Sequence, residues 1–155
     1  MSIKIDYREK DLIDCIEKMI TREKIFDDIT SETTNLLIGD IVVQGKDEEH
    51  SVIIERKTIR DLSASIKDGR YKEQSVRLGS SDYHNHNIIY LIEGSITNSV
   101  GFKNTLVDTH SLYGAIISLS LLKGFSIYRS GSITDTANYV CNLARKLNKT
   151  SVSMY

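Results

Sequence analysis

The segment at positions 52–61, VIIERKTIRD, places three charged residues directly after an apolar run. The apolar run predicts a buried β-strand, and side chains alternate between the two faces of a strand. Glu55 and Lys57 are therefore expected on one face, and Arg56 on the other. A carboxylate and an ammonium group held side by side in this way can act together on one substrate.

A second β-rich run, Ile41–Val43, precedes this segment across the polar stretch Gly45–His50, and together they predict a β-hairpin. If the two strands pair symmetrically about the loop, Asp40 lies opposite Glu55, with Cβ atoms roughly 5 Å apart. Two carboxylates and one ammonium group would then converge at one edge of the sheet.

Carboxylate oxygens are the ligands that hard cations such as Mg²⁺ and Mn²⁺ prefer, and such cations keep positions free for water and substrate phosphate. Asp40 and Glu55 therefore predict a site for metal-assisted hydrolysis. Lys57 would orient the attacking water or stabilise charge developing on the phosphate. The alternative is a solvated cross-strand ion pair, which would stabilise the fold by only about 0.3 kcal/mol.

Arg56 and Asp61 each have a structural alternative to a chemical role. Because Arg56 faces away from Glu55, two roles are equally expected for it: a catalytic role, or a contact with buried carbonyl groups or an acidic neighbour on the second face. Thr58 and Asp61 have the spacing of a capping box at a helix start, with Asp in place of the usual Glu. Helix capping alone would account for that pair.

Strand-like and helix-like patterns alternate along the chain, which predicts an α/β domain with helices packed on a mixed sheet. Predicted strands lie at Ile3–Ile5, Leu36–Val43, Ser51–Lys57, Asn87–Glu93 and Phe125–Tyr128. Predicted helices cover Leu12–Ile20, Thr58–Arg77 with a break at Asp68-Gly69, and Thr109–Lys123, and a last helix contains the apolar stripe from Ala137 to Leu147. The apolar stripe of the helix at Thr109–Lys123 consists of Leu112, Ala115, Ile116, Leu119 and Leu122.

The composition bounds the class of protein. The 155 residues are 40% hydrophobic, which suits one globular domain, and 20 Lys+Arg against 21 Asp+Glu give a net charge of -1. This balance excludes a protein that holds nucleic acid purely by neutralising phosphates. Cys15 and Cys141 are expected to be reduced thiols. With no stretch approaching the ~20 apolar residues of a membrane span, a soluble, intracellular protein is expected.

The sequence also resembles that of a known family, the XPF/MUS-type structure-specific endonucleases. The resemblance covers roughly residues 3 to 145 and is carried by four segments. These are Gly39-Asp40 with Glu55-Arg56-Lys57 and Asp61, similar to the signature GD…ERKxxxD; Asp6-Tyr7-Arg8-Glu9, similar to the opening D-x-R-E; Ile66 to Gln74, similar to a helix-turn segment with DGR; and Tyr90 to Glu93, similar to the next strand.

The resemblance implies a restriction-endonuclease-like fold, in which helices flank a mixed central sheet. It implies a Mg²⁺-dependent DNA endonuclease, with Mn²⁺ able to substitute, that is selective for flap, fork or branched DNA in repair or recombination. The roles it implies are metal ligation by Asp40, Glu55 and the backbone carbonyl of Arg56, catalysis by Lys57, and support of the site by Asp6, Glu9, Arg56 and Asp61.

Partners follow from the same comparison. Arg70, Lys72, Gln74 and Arg77 come after the metal edge and are candidate contacts to DNA phosphates, the alternative being a solvated helix face. The family's nuclease domains pair through C-terminal elements. Because the predicted helix at Thr109–Lys123 is apolar on nearly every side and needs cover on both faces, we expect a homodimer or a heterodimer.

Residues 1–155 are interpreted as a single nuclease domain, because the helix-hairpin-helix module that family members typically carry has no counterpart here. Its absence leaves the preferred DNA structure open. One alternative is a non-catalytic DNA-binding or scaffold subunit of a nuclease heterodimer, although every signature residue is retained. Another is a hydrolase of RNA or small cyclic dinucleotides. The expected location is the nucleus or cytoplasm, where DNA is replicated or repaired.

Overall fold

The computed structural model describes residues 2–45, 50–96 and 107–149. The strands are Ser2–Asp6 (β1), Thr30–Thr34 (β2), Ile41–Val43 (β3), Val52–Thr58 (β4), Ile88–Glu93 (β5) and Ser126–Ser130 (β6). The α-helices are Lys10–Arg22 (α1), Ile59–Asp68 (α2), Arg70–Gly79 (α3), Thr109–Ile117 (α4) and Ile133–Lys149 (α5). Short 3-10 turns lie at Lys24–Phe26 and Asn85–Asn87, and a π-helical turn at Ser118–Leu122.

The six strands form one mixed sheet in the order β2-β1-β3-β4-β5-β6. Strand β3 pairs antiparallel with both β1 and β4, whereas the β1–β2, β4–β5 and β5–β6 pairs are parallel. The α/β class and the mixed sheet flanked by helices are therefore confirmed.

Helices cover both faces of the sheet, and β4 shows how. Ile54 packs in the core formed with α1 and α5, which includes Leu12 and Cys141. Its neighbour Ile53 points to the opposite face and packs in a cluster with Leu78 of α3. The alternation expected for β4 is thus observed, and it sends its charged residues to two different environments.

The structure differs from the predicted elements between α1 and β3. The run Leu36–Ile38 is irregular rather than β-strand, and β2 lies just before it at Thr30–Thr34. Strand β2 is a mostly exposed edge strand that pairs only with β1, so it has no apolar alternation to mark it. The hairpin tip, residues 46–49, lies outside the described residues.

The helix predicted at Thr109–Lys123 ends early and continues as the π-helical turn. A π-helical turn advances the chain less per residue than an α-helix, so it changes the direction in which later side chains point. Leu119 remains fully buried, but Leu122, predicted on the buried stripe, is 75% exposed. The placement of Leu122 was wrong for this reason.

Smaller features agree with the sequence. Helix α2 ends at Asp68, and Gly69 follows in the left-handed region with φ of 84°, as the Asp68-Gly69 break predicted. Cys15 and Cys141 are both free thiols. Among the residues that the structure describes, every helix is too short or too polar to cross a lipid bilayer.

Candidate active site

The β3–β4 hairpin sets the positions of Asp40 and Glu55. Ile41 pairs with Ile54, which is the symmetric register expected from the loop. One step beyond that pair, the Asp40 amide donates to the Ile54 carbonyl at 2.9 Å. The Arg56 amide donates to Asp40 Oδ2 at 2.7 Å, which fixes one carboxylate oxygen and leaves the other available. Asp40 and Glu55 therefore lie side by side at the end of the hairpin.

Gly39 enables the approach of Asp40 to β4. Its φ is +72°, in the left-handed region, and a Cβ at this position would lie 2.6 Å from the Ile53 side chain. Any larger residue would strain the backbone and displace the strand. The Gly-Asp pair is thus explained by packing as well as by any chemistry of the aspartate.

The electrostatics of the two carboxyl groups are unusual. Burial raises the pKa of Asp40 to about 6, although the hydrogen bond from the Arg56 amide opposes the rise. Burial raises the pKa of Glu55 to about 8, and the nearby charge of Asp40 adds to the rise. Two buried carboxylates that resist ionisation form a place where a cation would be strongly favoured.

Lys57 lies beside this pair on the same face. Its ammonium nitrogen is 4.0 Å from Glu55 Oε1, and only 13% of its side chain is exposed. The same nitrogen donates a long hydrogen bond of 3.5 Å to Ser65 Oγ of α2. Lys57 therefore provides a single positive charge close to two acidic groups and offsets them only in part.

Arg56 points to the opposite face, where it binds two glutamates. Its guanidinium contacts Glu9 Oε2 at 2.8 Å and Glu93 Oε2 at 2.7 Å, and all three side chains are largely buried. Thr136 of α5 donates a further hydrogen bond of 2.6 Å to Glu93. The Arg56 side chain thus joins α1, β4, β5 and α5, which matches the expected contact with an acidic neighbour on the second face.

Asp6 contacts the loop that leads to Gly39. This fully buried residue accepts hydrogen bonds from the Arg8 backbone and side chain and from the Leu36 amide. The Arg8 guanidinium, together with these amides, holds the pKa of Asp6 down at about 2. Asp6 therefore anchors the loop that leads to Gly39.

A cleft of about 510 Å³ opens over the two carboxylates and Lys57. The residues that line it come from the turn between β1 and α1, from the loop before β3, from β4 and from α3: Tyr7, Arg8, Asn35, Leu36, Leu37, Ile38, Gly39, Asp40, Glu55, Lys57, Gln74, Arg77 and Leu78. Of the four predicted DNA contacts, the structure brings Gln74 and Arg77 into the cleft.

The remaining predicted residues lie elsewhere. Arg70 is exposed and paired with Asp68 at 2.8 Å, and Lys72 is also exposed; neither lines the cleft. Asp61 is exposed in the first turn of α2, where its amide donates to Thr58 Oγ1 at 3.0 Å. The capping interaction foreseen for Thr58 and Asp61 is thus formed on the Thr58 side.

Sequence reasoning missed the loop residues that line the cleft. Leu37 is 90% exposed there, and Tyr7 is also exposed. One feature of the sequence could have indicated that Leu37 lies in a loop. The run Leu36–Ile38 is apolar at every position, so it lacks the alternation of apolar and polar residues that marks a half-buried strand.

The donor set suits a hard divalent cation. Within residues 2–45, 50–96 and 107–149 there is no group of three or more His, Cys, Asp or Glu side chains placed to hold a metal ion. Mg²⁺ needs no such cage, because it is commonly bound through one or two carboxylates and keeps its other positions for water and phosphate. Asp40 and Glu55 fit this mode, with the backbone carbonyl of Arg56 as a candidate third ligand.

Comparison with known proteins gives a consistent picture. The family model described as the ERCC4 domain matches residues 5–143. A probable crossover junction endonuclease mus81 from Dictyostelium discoideum is 36% identical over 131 residues, covering 74% of this chain and 14% of the relative. The structure-specific endonuclease subunit MUS81 of Homo sapiens is 33% identical over 99 residues, covering 63% of this chain and 16% of the relative. The chain therefore spans a small part of these relatives.

Solved structures share the fold. XPF from Aeropyrum pernix superposes with a TM-score of 0.71 at 26% identity, covering 94% of this chain and 64% of that one. A structure of XPF from Aeropyrum pernix in complex with DNA gives a TM-score of 0.67 at 24% identity, covering 98% of this chain and 68% of that one. The six-stranded sheet with its flanking helices is thus the fold of the XPF nuclease, as the sequence led us to expect.

Proposed function

Because this chain belongs to the ERCC4 domain family, we propose that it is a Mg²⁺- or Mn²⁺-dependent endonuclease that hydrolyses phosphodiesters in flap, fork or branched DNA during repair or recombination. The observation that carries the proposal is the buried pair Asp40 and Glu55, both with raised pKa, beside Lys57 in an open cleft. An ordinary surface ion pair would not raise both pKa values by burial.

The two carboxylates and the Arg56 carbonyl would hold the cation. When bound, a divalent cation polarises the scissile phosphate and lowers the pKa of a water molecule. Asp40 keeps one oxygen fixed by the Arg56 amide, so its other oxygen is oriented before any ligand arrives. Lys57 is placed to orient the water or to stabilise negative charge on the phosphate. Hydrolysis then proceeds by direct attack of water, without a covalent intermediate.

The other signature residues have supporting tasks in this proposal. Asp6 fixes the loop before Gly39, and Glu9 holds the Arg56 side chain. Both residues would therefore stabilise the position of the hairpin without contacting the substrate. Thr58 caps α2 by accepting a hydrogen bond from the Asp61 amide, and the Asp61 side chain places a negative charge in the first turn of the helix that carries Ser65 next to Lys57. None of these side chains needs to touch the phosphate.

DNA would enter over α3. Arg77 and Gln74 face the cleft and are placed for the phosphates flanking the scissile bond, and Arg8 also lines this cleft. Arg70 and Lys72 lie outside the cleft and would contact the duplex farther away. With a net charge of -1, the chain must rely on this local basic surface and on the bound cation.

We also propose a dimer. Tyr113, Ile117, Leu121 and Leu122 are all exposed on α4 and the π-helical turn. Large apolar side chains exposed at successive turns of one helix are characteristic of an interface. A homodimer and a heterodimer would use the same surface. The place of action would be intracellular, in the nucleus or cytoplasm.

A cleavage assay on flap, fork and linear DNA tests the proposal. The wild type should produce nicked DNA with Mg²⁺ or Mn²⁺ and none with chelator. Glu55→Gln and Lys57→Ala should each lower the rate of cleavage by at least about 100-fold. The control variant Glu17→Gln, which replaces an exposed glutamate on α1, should retain full activity.

Two results would redirect the proposal. Binding of branched DNA with no products under any divalent ion would indicate a scaffold subunit. Preferential cleavage of RNA or cyclic dinucleotides in competition with DNA would assign the same chemistry to another phosphodiester. Full activity in either active-site variant would reject the assignment of the site.

A further inference from the structure

The hydroxyl group of Tyr90 is buried and has no partner. The side chain is 1% exposed, and its oxygen makes no hydrogen bond with any residue that the structure describes. Buried hydroxyl groups in proteins are nearly always paired, because an unpaired one costs free energy. An orphaned hydroxyl in an otherwise well-packed core therefore calls for a ligand or a change of state that supplies its partner.

The position of Tyr90 places it beneath the candidate active site. In the parallel β4–β5 pair, Tyr90 is in register with Glu55, so the two side chains lie on the same face of the sheet. Burial, and then the negative charges of Glu55 and Asp40, raise the pKa of Tyr90. The hydroxyl therefore keeps its proton and is able to donate a hydrogen bond.

The ring of Tyr90 is fixed independently of its hydroxyl. It stacks on Phe125 with a centroid distance of 5.7 Å and an interplanar angle of 10°, and it packs in the cluster that contains Ile53 and Leu78. These contacts involve only the apolar part of the side chain. The ring is therefore already held for a task that belongs to the oxygen.

Within the described part of the chain, the Glu55 carboxylate in turn has only a long contact with a positively charged group. The described contact of its carboxylate is the Lys57 ammonium at 4.0 Å. An ionised carboxylate has room for about four hydrogen bonds. If a cation takes one oxygen, the other still needs a donor, and carboxylates that bind metals are commonly held by such a second hydrogen bond.

We propose that Tyr90 is a positioning residue for the metal site: its hydroxyl donates a hydrogen bond to the Glu55 carboxylate, directly or through one buried water. This inference rests on the proposed function of Glu55 as a metal ligand. This hydrogen bond gives the orphaned Tyr90 hydroxyl its partner and orients the Glu55 carboxylate for the cation.

The test compares Tyr90→Phe with Tyr128→Phe, in the full chain. Tyr128 on β6 is a matched control because its hydroxyl has a partner, Asp135 Oδ1 at 2.8 Å, and its ring packs on the opposite face of the sheet from Tyr90. Three quantities are measured: the melting temperature in chelator, the affinity for Mn²⁺ by electron paramagnetic resonance, and the kcat and KM for DNA cleavage.

For Tyr90→Phe we expect an unchanged or higher melting temperature, Mn²⁺ binding weakened by about 10-fold or more, and a lower kcat with little change in the KM for DNA. For Tyr128→Phe we expect a lower melting temperature and unchanged Mn²⁺ affinity. A merely structural role of Tyr90 would lower the melting temperature and leave the Mn²⁺ affinity of the folded protein unchanged.

The inference is overturned if Tyr90→Phe binds Mn²⁺ within about twofold of wild type, or if its melting temperature falls as the control's does. The proposed nuclease function fails separately. A wild type that binds Mn²⁺ but cleaves no DNA would remove that function, while the ratio of Mn²⁺ affinities would still decide the role of Tyr90.

Discussion

Replacement of Glu55 by glutamine should make the metal-free protein more stable at alkaline pH. Burial, with the Asp40 charge adding to it, raises the pKa of Glu55 to about 8, against an ordinary value of 4.5. Above that pH the native state carries a charge that its surroundings disfavour. Glutamine has nearly the same shape and removes the charge.

The size of the effect follows from the pKa. A tenfold difference in proton affinity is worth about 1.4 kcal/mol. The rise of the Glu55 pKa from 4.5 to about 8 therefore sets an upper limit on the order of 5 kcal/mol for the cost of ionising Glu55 in the folded protein. The Glu55 side chain is still 14% exposed, at the open cleft, so water and local relaxation reduce this cost. The gain from glutamine should therefore be smaller, about 2 to 3 kcal/mol at about pH 9.

The sign of the pH dependence is set by the direction of the shift. Because the folded pKa is raised, the native state binds the Glu55 proton more tightly than the unfolded state does. The wild type has its full stability below the unfolded value of 4.5 and loses this contribution as the pH rises to about 8. The variant and the wild type should therefore be close in stability below about pH 4.5 and diverge above it.

Urea unfolding followed by circular dichroism at about pH 4.5, 7 and 9, in chelator, measures this divergence. Glu17→Gln serves as the control, since Glu17 is exposed on α1 and its replacement should have little effect at any pH. If the wild type and Glu55→Gln are equally stable at about pH 9, or if the variant is less stable, then the ionised Glu55 carboxylate does not destabilise the folded protein and the reasoning is refuted.

Two further predictions concern the supporting structure. Arg56→Met should lower the free energy of unfolding by about 3 to 5 kcal/mol, because it leaves Glu9 and Glu93 buried without their partner. Urea titrations near neutral pH measure this loss, and a loss below about 1 kcal/mol would be inconsistent with a buried ion-pair network. A Leu121→Ser, Leu122→Ser double variant should sediment as a monomer under conditions where the wild type is a dimer, since both leucines are at least 75% exposed; an unchanged mass would place the interface elsewhere.

The hairpin and its charged residues were predictable because their geometry is local. The strand period and one polar loop suffice to place Asp40 against Glu55 and to send Arg56 to the other face. The structure has the same register, with Ile41 opposite Ile54. No distant contact was needed for that part of the site.

Elements that depend on tertiary contacts were less predictable. Strand β2 carries polar residues and exists because β1 offers it a pairing edge. Leu122 is exposed because the helix changes to π-helical geometry at Ser118, which no apolar pattern reveals. In both places, long-range packing overrides the local pattern.

The boundary of the cleft shows the same limit. Arg70, Lys72, Gln74 and Arg77 form one polar segment in sequence, and only the packing of α3 against the sheet decides that Gln74 and Arg77 face the carboxylates. Tyr90 lies inside an apolar strand, where an aromatic residue is expected in the core. Its unpartnered hydroxyl is visible only once the neighbouring strands are in place.

The most direct test of the central claim is the anomalous diffraction of a crystal of the wild-type protein soaked in Mn²⁺. We expect one strong peak between Asp40 and Glu55, with a carboxylate oxygen from each at about 2.0 to 2.4 Å from the ion. A well-ordered cleft with no peak, or with the two carboxylates too far apart to share one ion, would contradict it.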